Sequence, residues 1–291
     1  AFNTAVGHFA GYAVTTGVQN TLIGGLAGDA ITTANNNVAI GVGSAGATTT
    51  GGSNVAISVN ALGSNTTGST NVAIGQDTLF NNTTASNNTA VGHNAMVANT
   101  TGTNNVAVGK DALDSNTTGN SNTALGVDAL QANTTASNST ALGHGALAVS
   151  TGVDNTAVGK FAGVAVTTGI DNTFIGTNSG DALTDADYNV AVGRSALTSD
   201  TLGSRSVAVG YQALAFQNFT SATDTYNTAV GTLAGNKVTT GTNNTLIGGL
   251  AGDAITTGAN NTAVGYNSLT TNTTGAYNTA IGIASMASNT T

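Results

Sequence analysis

The pentapeptide Asn-Thr-Ala-Val-Gly, or a near copy of it, returns along this chain at a fixed step, beginning at Asn3, Asn20, Asn37 and Asn54. With its Asn taken as position 1, position 5 runs from Gly7 to Gly282 and is Gly in every copy but one, where Ser58 stands. Two steps break the period: Gly143 to Gly159 is shorter by one, and Gly210 to Gly231 is longer by four. A fixed period of this length is the mark of stacked repeats, in which each unit buries its apolar face only against its neighbours. The sequence therefore reads as a single continuous repeat domain over 1–291, with 17 coils and no linker, and as a segment of a longer fibre.

The unit reads NTAVGxxALxxNTTGxx. Position 4 is Val, Ile or Leu in all 17 copies, position 2 is Thr or Val, and position 3 is Ala in 14. Such a run of β-formers closed by Gly predicts a short strand. Period-2 geometry puts positions 2 and 4 on one face and position 3 on the other. Positions 8 and 9, mostly Ala-Leu, predict a second short strand, and NTTG a second turn. Gly, Asn and Thr recur too often for a helix. The fold class is all-β: a parallel β-solenoid, or β-roll, of 17-residue coils. Low charge, 6% against about 25% in ordinary globules, would otherwise suggest disorder, but the regular apolar rows oppose that.

Each column has a physical reason. Position 1 is Asn except at Ser139 and Ser206, and stacked amides bond along the axis. Gly at position 5 implies a positive φ at the corner, so Ser58 predicts local strain. Position 6 varies freely and holds His8, His93 and His144 among Lys, Arg, Gln and Tyr, as a solvent-facing column would. Coils come in two types. Most carry Leu or Met at position 9. The others have Gly there, often with Phe or Leu at position 7, as in HFAG and GLAG. These come in pairs, and the second of each pair carries the only large residues at position 3: Leu22, Phe174 and Leu246. The smaller Gly is expected to make room for them, with the bulky group moved along the same face to position 7. A strict Ala face on a thin coil is expected to pack against another chain.

N-[TV]-A-[VI]-G resembles the NSVAIG-type repeat of trimeric autotransporter adhesin heads, and phage tail-fibre repeats are also similar. The resemblance covers the whole chain through about five residues per unit. It implies a left-handed β-roll, a homotrimer and a place outside the cell, on a cell surface or virion. The units here are longer, and NTTG lies outside that motif.

Composition excludes much else. Five cations against a net charge of −8 leave no surface for nucleic acid. No apolar stretch is long enough to insert in a membrane. Without Cys or Glu, and with Asp scattered singly, no catalytic set is evident, and no cofactor or metal is expected. The three His lie five and three coils apart. GGLAGDA, at 24–30 and 248–254, is similar to a phosphate loop but lacks the following Lys-Ser/Thr. The Asn-Xaa-Thr sequons at Asn65, Asn82, Asn99, Asn116, Asn133 and Asn272 read as a turn ladder before they read as glycan acceptors. One region stands apart: the long thirteenth unit and its neighbour bring Arg194, Arg205, Tyr211, Phe216, Phe219 and Tyr226 together as a possible contact loop.

The expected function is a structural segment of an extracellular adhesive fibre, not an enzyme, whose partners are itself and a host surface protein or glycan. A virion tail-fibre segment in host recognition is the alternative. An ice-binding solenoid is a third reading, weakened because the adjacent Thr of NTT point to opposite faces.

Overall fold

The computed structural model describes residues 2–290 and divides into two compact units, Ala1–His144 and Gly145–Thr291. Each is a parallel β-solenoid with a 17-residue repeat, and no helix occurs among the described residues. In the first unit nine three-residue strands follow one another in sequence order: β1 (Thr4–Val6), β2 (Thr21–Ile23), β3 (Val38–Ile40), β4 (Val55–Ile57), β5 (Val72–Ile74), β6 (Thr89–Val91), β7 (Val106–Val108), β8 (Thr123–Leu125) and β9 (Thr140–Leu142). In the second unit a like ladder comprises β10 (Thr156–Val158), β11 (Thr173–Ile175), β12 (Val190–Val192), β14 (Val207–Val209), β16 (Thr228–Val230), β17 (Thr245–Ile247), β18 (Thr262–Val264) and β19 (Thr279–Ile281). Beside it lies a separate two-stranded sheet, β13 (Gly203–Ser204) with β15 (Thr223–Asp224). Register is like over like: Val38 pairs with Val55, Ala39 with Ala56 and Ile40 with Ile57.

The Asn at position 1 holds neighbouring coils together. Its Oδ1 accepts the backbone N–H of the position-1 residue on the next coil, as in Asn37→Asn20 at 3.0 Å and Asn54→Asn37 at 2.9 Å. Its Nδ2 crosses its own coil to the carbonyl of position 15, Asn71 to Ala85 at 2.8 Å and Asn88 to Gly102 at 2.8 Å. One buried amide thus satisfies two buried backbone groups, each of which costs about 1–3 kcal/mol when orphaned. The amides do form a ladder, but its partner is mainly the main chain.

A second Asn ladder runs through position 12. Asn82, Asn99 and Asn116 each donate from Nδ2 to the Oδ1 one coil below, at 3.0, 3.0 and 2.9 Å. Each also donates to the carbonyl three residues on. These are the sequon residues. Asn65, Asn82, Asn99, Asn116, Asn133 and Asn272 are fully buried, so the folded chain presents none of them as a glycan acceptor; the first five form the ladder, and Asn272 only caps its turn, its Oδ1 accepting the Gly275 N–H at 2.8 Å. Of the two Thr that follow, the first is fixed in the wall, its hydroxyl donating to the carbonyl of the Thr on the next coil, as in Thr49→Thr66 at 3.1 Å. The second is exposed, as at Thr50, Thr67 and Thr84.

Three expectations need correction. The Ala row does not face outward: Ala39, Ala56, Ala73, Ala90 and Ala107 are completely buried inside their own coils. The outward face is that of positions 2 and 4. So short a coil encloses too little space for Val or Ile at position 3, and Ala is what fits. The second apolar run, moreover, is not a strand. In the sixth coil it is a chain of i→i+3 turns, Ala95→Gly92, Val97→Asn94 and Asn99→Met96 at 3.4, 3.2 and 3.1 Å. Positions 7 and 9 of that run are left-handed, with φ of 56° at Asn94 and 54° at Met96. A left-handed L-residue costs about 1–2 kcal/mol, and burying a Leu or Met side chain returns about 1.5–3 kcal/mol. That is why position 9 holds a buried Leu or Met, or else Gly, in all but two coils, where Ala45 and the exposed Met286 stand.

The third correction concerns the paired Gly coils. The bulky residue at position 7 points outward, with Phe9 50% and Leu26 42% exposed. What fills the vacated core is the large residue at position 3 together with an apolar residue at position 12: Ile31, Val166, Leu183, Val238 and Ile255 replace Asn there and are buried. The making of room for position 3 is borne out. A Cβ on Gly11 would lie 2.7 Å from Leu22 Cδ1, and one on Gly28 would lie 2.8 Å from Leu22 Cδ2. Phe174 meets Gly163 and Gly180 in the same way, and Leu246 meets Gly235 and Gly252. One large side chain needs a Gly on its own coil and on the coil before it, which explains why such coils come in twos.

The corner at position 5 has φ from 119° to 142° wherever Gly occupies it, and Ser58 is held at 113°. There the coils approach so closely that a Cβ on Gly24 would sit 2.5 Å from the Gly41 carbonyl oxygen.

Two outcomes follow. Ser58→Gly stabilises the chain by about 1 kcal/mol, the release of one strained φ, read as a higher urea midpoint at unchanged slope. Gly28→Ala destabilises by about 2–3 kcal/mol from overpacking and backbone strain. Combining it with Leu22→Ala costs less than the sum of the two single changes, because the clash partner is gone; additive costs in a double-mutant cycle would contradict this packing.

Candidate functional site

Two surface features carry interaction chemistry. The first is the outward strand face. In the first unit position 4 presents Val6, Ile23, Ile40, Ile57, Ile74, Val91, Val108, Leu125 and Leu142, with Thr or Val beside each at position 2. None of these side chains is buried, and Ile74, Val106 and Leu125 are 37%, 38% and 47% exposed. The second unit repeats the pattern from Val158 to Ile281, with Val230 37% and Ile247 39% exposed. Across both units these two columns contain no charged, amide or Gly residue. Position 4 is thus an uninterrupted column of exposed or half-buried Val, Ile and Leu, flanked at position 2 by Thr in eleven coils and Val in six; contiguous apolar surface of this kind is uncommon on soluble monomers.

The second feature lies on the second unit, around the long coil. Position 17 is left-handed throughout, and Asn, Asp, Ser or Thr fill it in most coils. On three successive coils it holds Tyr188, Arg205 and Tyr226 instead, with φ of 60°, 63° and 49°. The Arg205 guanidinium lies 4.7 Å from the Tyr188 ring centre and 6.0 Å from that of Tyr226. Its Nε is 3.0 Å from Asp224 Oδ1, and Tyr226 Oη donates to Asp224 Oδ2 at 3.3 Å. That hydrogen bond and charge from Asp224 hold the guanidinium above its ordinary pKa. Tyr188 and Tyr226 remain 45% and 55% exposed.

The six residues expected to form a contact loop do not all meet. Arg205 and Tyr226 do. Arg194 and Tyr211 sit in the position-6 column, at the opposite end of the strand from position 17, and both are exposed. Phe216 points to solvent at 56% exposure, whereas Phe219 is buried at 7% and plugs the insertion. The sequence reading missed Tyr188 and Asp224. Tyr188 had a signal, since it lies one full period before Arg205. Asp224 had none, because the insertion shifts it out of the period.

Beneath the cluster the insertion is secured by a buried polar network. Gln217 Nε2 donates to Asp200 Oδ2 at 2.6 Å and to Ser206 Oγ at 2.7 Å, while its Oε1 accepts from Asn227 Nδ2 at 2.9 Å. Asp200 Oδ1 also accepts the backbone N–H of Phe219 and of Gly203, at 3.0 and 3.1 Å. Ser206 is too short to serve as the position-1 amide: Thr225 Oγ1 accepts the Asn227 N–H at 3.4 Å instead, and Gln217 ties Ser206 to Asp200 and Asn227. The β13–β15 pair sits directly on this network.

His8, His93 and His144 are exposed corner residues, His144 Nε2 lying 3.9 Å from Asp128 Oδ2. Among the described residues there is no group of three His, Cys, Asp or Glu placed to hold a metal, and no pocket. No helix is long and apolar enough to cross a membrane.

Burial pushes the carboxyls of Asp114, Asp181 and Asp253 above the ordinary aspartate range. Asp111 moves the other way: hydrogen bonds from Lys110 and Asn94 outweigh its own desolvation. A raised carboxyl penalises the ionised folded state, so its destabilising contribution disappears as pH falls through the folded pKa. Asp111 contributes stability that is lost only below that range. Between pH 7 and about 4 the three raised groups therefore dominate, and the melting temperature rises on acidification. Asp181→Asn with Asp253→Asn flattens that rise in a thermal scan; an unchanged slope would contradict the assignment. No family model, curated protein or solved structure matches this chain.

Proposed function

We propose that this chain is a structural segment of an extracellular adhesive fibre, and that it assembles as a homotrimer through the outward strand ladder of positions 2 and 4. The single observation that carries this reading is the absence of any charged residue from those two columns in every coil, on a face that the fold leaves open to solvent. Burial of apolar surface stabilises by about 25 cal/mol per Å², so a ladder many rungs long returns far more than any single rung. The resemblance to trimeric adhesin heads supports three copies, and the like-over-like register supports chains running side by side in step. The role is mechanical and presentational: a stiff repeat holds contact surfaces away from the body that bears it, and repetition makes weak contacts add up.

Sedimentation equilibrium tests the assembly. The expected mass is three times the 28.1 kDa of one chain. Ile57→Lys with Ile74→Lys, two adjacent outward rungs, yields a monomer whose circular dichroism is unchanged, since neither side chain contributes to the interior. A compact monomer of the unaltered chain would overturn the trimer.

A further inference from the structure

We propose that Tyr188, Arg205, Tyr226 and Asp224 form a binding site for a neutral carbohydrate. This goes beyond the fibre reading and does not depend on the strand ladder.

The first observation is conformational. Left-handed backbone costs a bulky side chain about 1–2 kcal/mol, and less for Asn or Asp, whose side chains bond locally. At position 9 every Leu, and Met96, accepts this cost while buried and recovers it; Met286 on the last coil is the exception. Tyr188, Arg205 and Tyr226 accept it on three successive coils while leaving their side chains on the surface. Tyr277 shares this backbone at 82% exposure, so the left-handed column alone does not mark a site; what sets the three apart is that they stand on consecutive coils and touch one another.

The second observation is preorganisation. The guanidinium is fixed between the rings, and Asp224 holds both Arg205 Nε and Tyr226 Oη. Asp224 is itself anchored by the pairing of β15 with β13, through Ser204↔Asp224. The side chains are thus ordered before any ligand arrives, which lowers the entropy cost of binding.

The chemistry selects the ligand. Tyr faces offer flat apolar surface for the C–H face of a sugar ring. The outer nitrogens of Arg205, the Asp224 carboxylate and the Tyr hydroxyls offer donors and acceptors for sugar hydroxyls. The two rings stand two rungs apart, about 9.6 Å at the usual strand spacing, the reach of a short oligosaccharide. Charge selects against an acidic sugar. The one cation of the site is already ion-paired with Asp224, and Asp187, whose Oδ1 accepts the Ile170 N–H at 2.8 Å, adds a second carboxylate on the coil of Tyr188. Three rungs are also far smaller than the roughly 800 Å² per partner of a stable protein interface.

Tyrosine emission, undisturbed because the chain has no Trp, reports binding to the full chain. The probes are neutral gluco-, galacto- and manno-oligosaccharides, beside uronate oligosaccharides as the acidic arm. At least one neutral series is expected to bind saturably in the millimolar range or tighter. Tyr188→Asn with Tyr226→Asn, which installs the residue the column favours, weakens it at least tenfold while the melting temperature holds or rises. Tyr277→Asn, an equivalent exposed Tyr without the Arg and Asp, leaves binding unchanged. The proposal is overturned by absence of saturable binding to every neutral probe, by tighter binding to uronates, or by full binding in the double variant. A fall of several degrees in melting temperature for the double variant would overturn it as well, by making the stack a stability device.

Discussion

A buried backbone N–H must find an acceptor, and in this chain that requirement governs the rest. Strands of three residues leave most of each coil's main chain outside the sheet. The position-1 Asn satisfies two of those groups with one side chain, joining the N–H of the next coil to the carbonyl across its own. No other side chain offers an acceptor and a donor at that reach without a further methylene to place. Where the sequence substitutes Ser206, the N–H of Asn227 is accepted by Thr225 Oγ1 instead, and Gln217 and Asp200 complete a side-chain network around it. The repeat period is the length over which this satisfaction closes.

Once the amides fix the coil diameter, the packing choices narrow. Ala fits at position 3, and larger residues fit only where two neighbouring coils give up their position-9 side chains. The core is therefore thin and half polar, with Ala and Leu on one side and two Asn columns on the other. Apolar residues that exceed the small interior are left on the outside, at positions 2 and 4. The apolar outward column is thus a consequence of interior size.

The strand, its register, the corner Gly and the pairing of Gly coils were all legible in the sequence, because each is a local rule repeated many times. The direction of the strand was not. Ala at position 3 and Val at position 4 are both apolar, and period-2 alternation separates the faces without saying which is inside. The run at positions 8 and 9 was misjudged because Leu in a left-handed conformation has no signature of its own. A signal for the core of the Gly coils was present and unused: Val, Ile or Leu follows three residues after each position-9 Gly, at Val14, Ile31, Val166, Leu183, Val238 and Ile255. The aromatic cluster was half visible. Arg205 and Tyr226 stood out by type, but Asp224 joins them only through an insertion whose path no periodicity encodes.

The like-over-like register has a consequence for how such a chain changes over generations. Outside the paired Gly coils and the long coil, each coil's main-chain groups are met by like neighbours, so gaining or losing one whole repeat of codons there leaves the remaining contacts intact. Residues 20–33 and 244–257 are identical, NTLIGGLAGDAITT in both places. The gene is free to lengthen or shorten by unequal recombination between such copies, and the number of coils becomes a trait that varies in whole rungs.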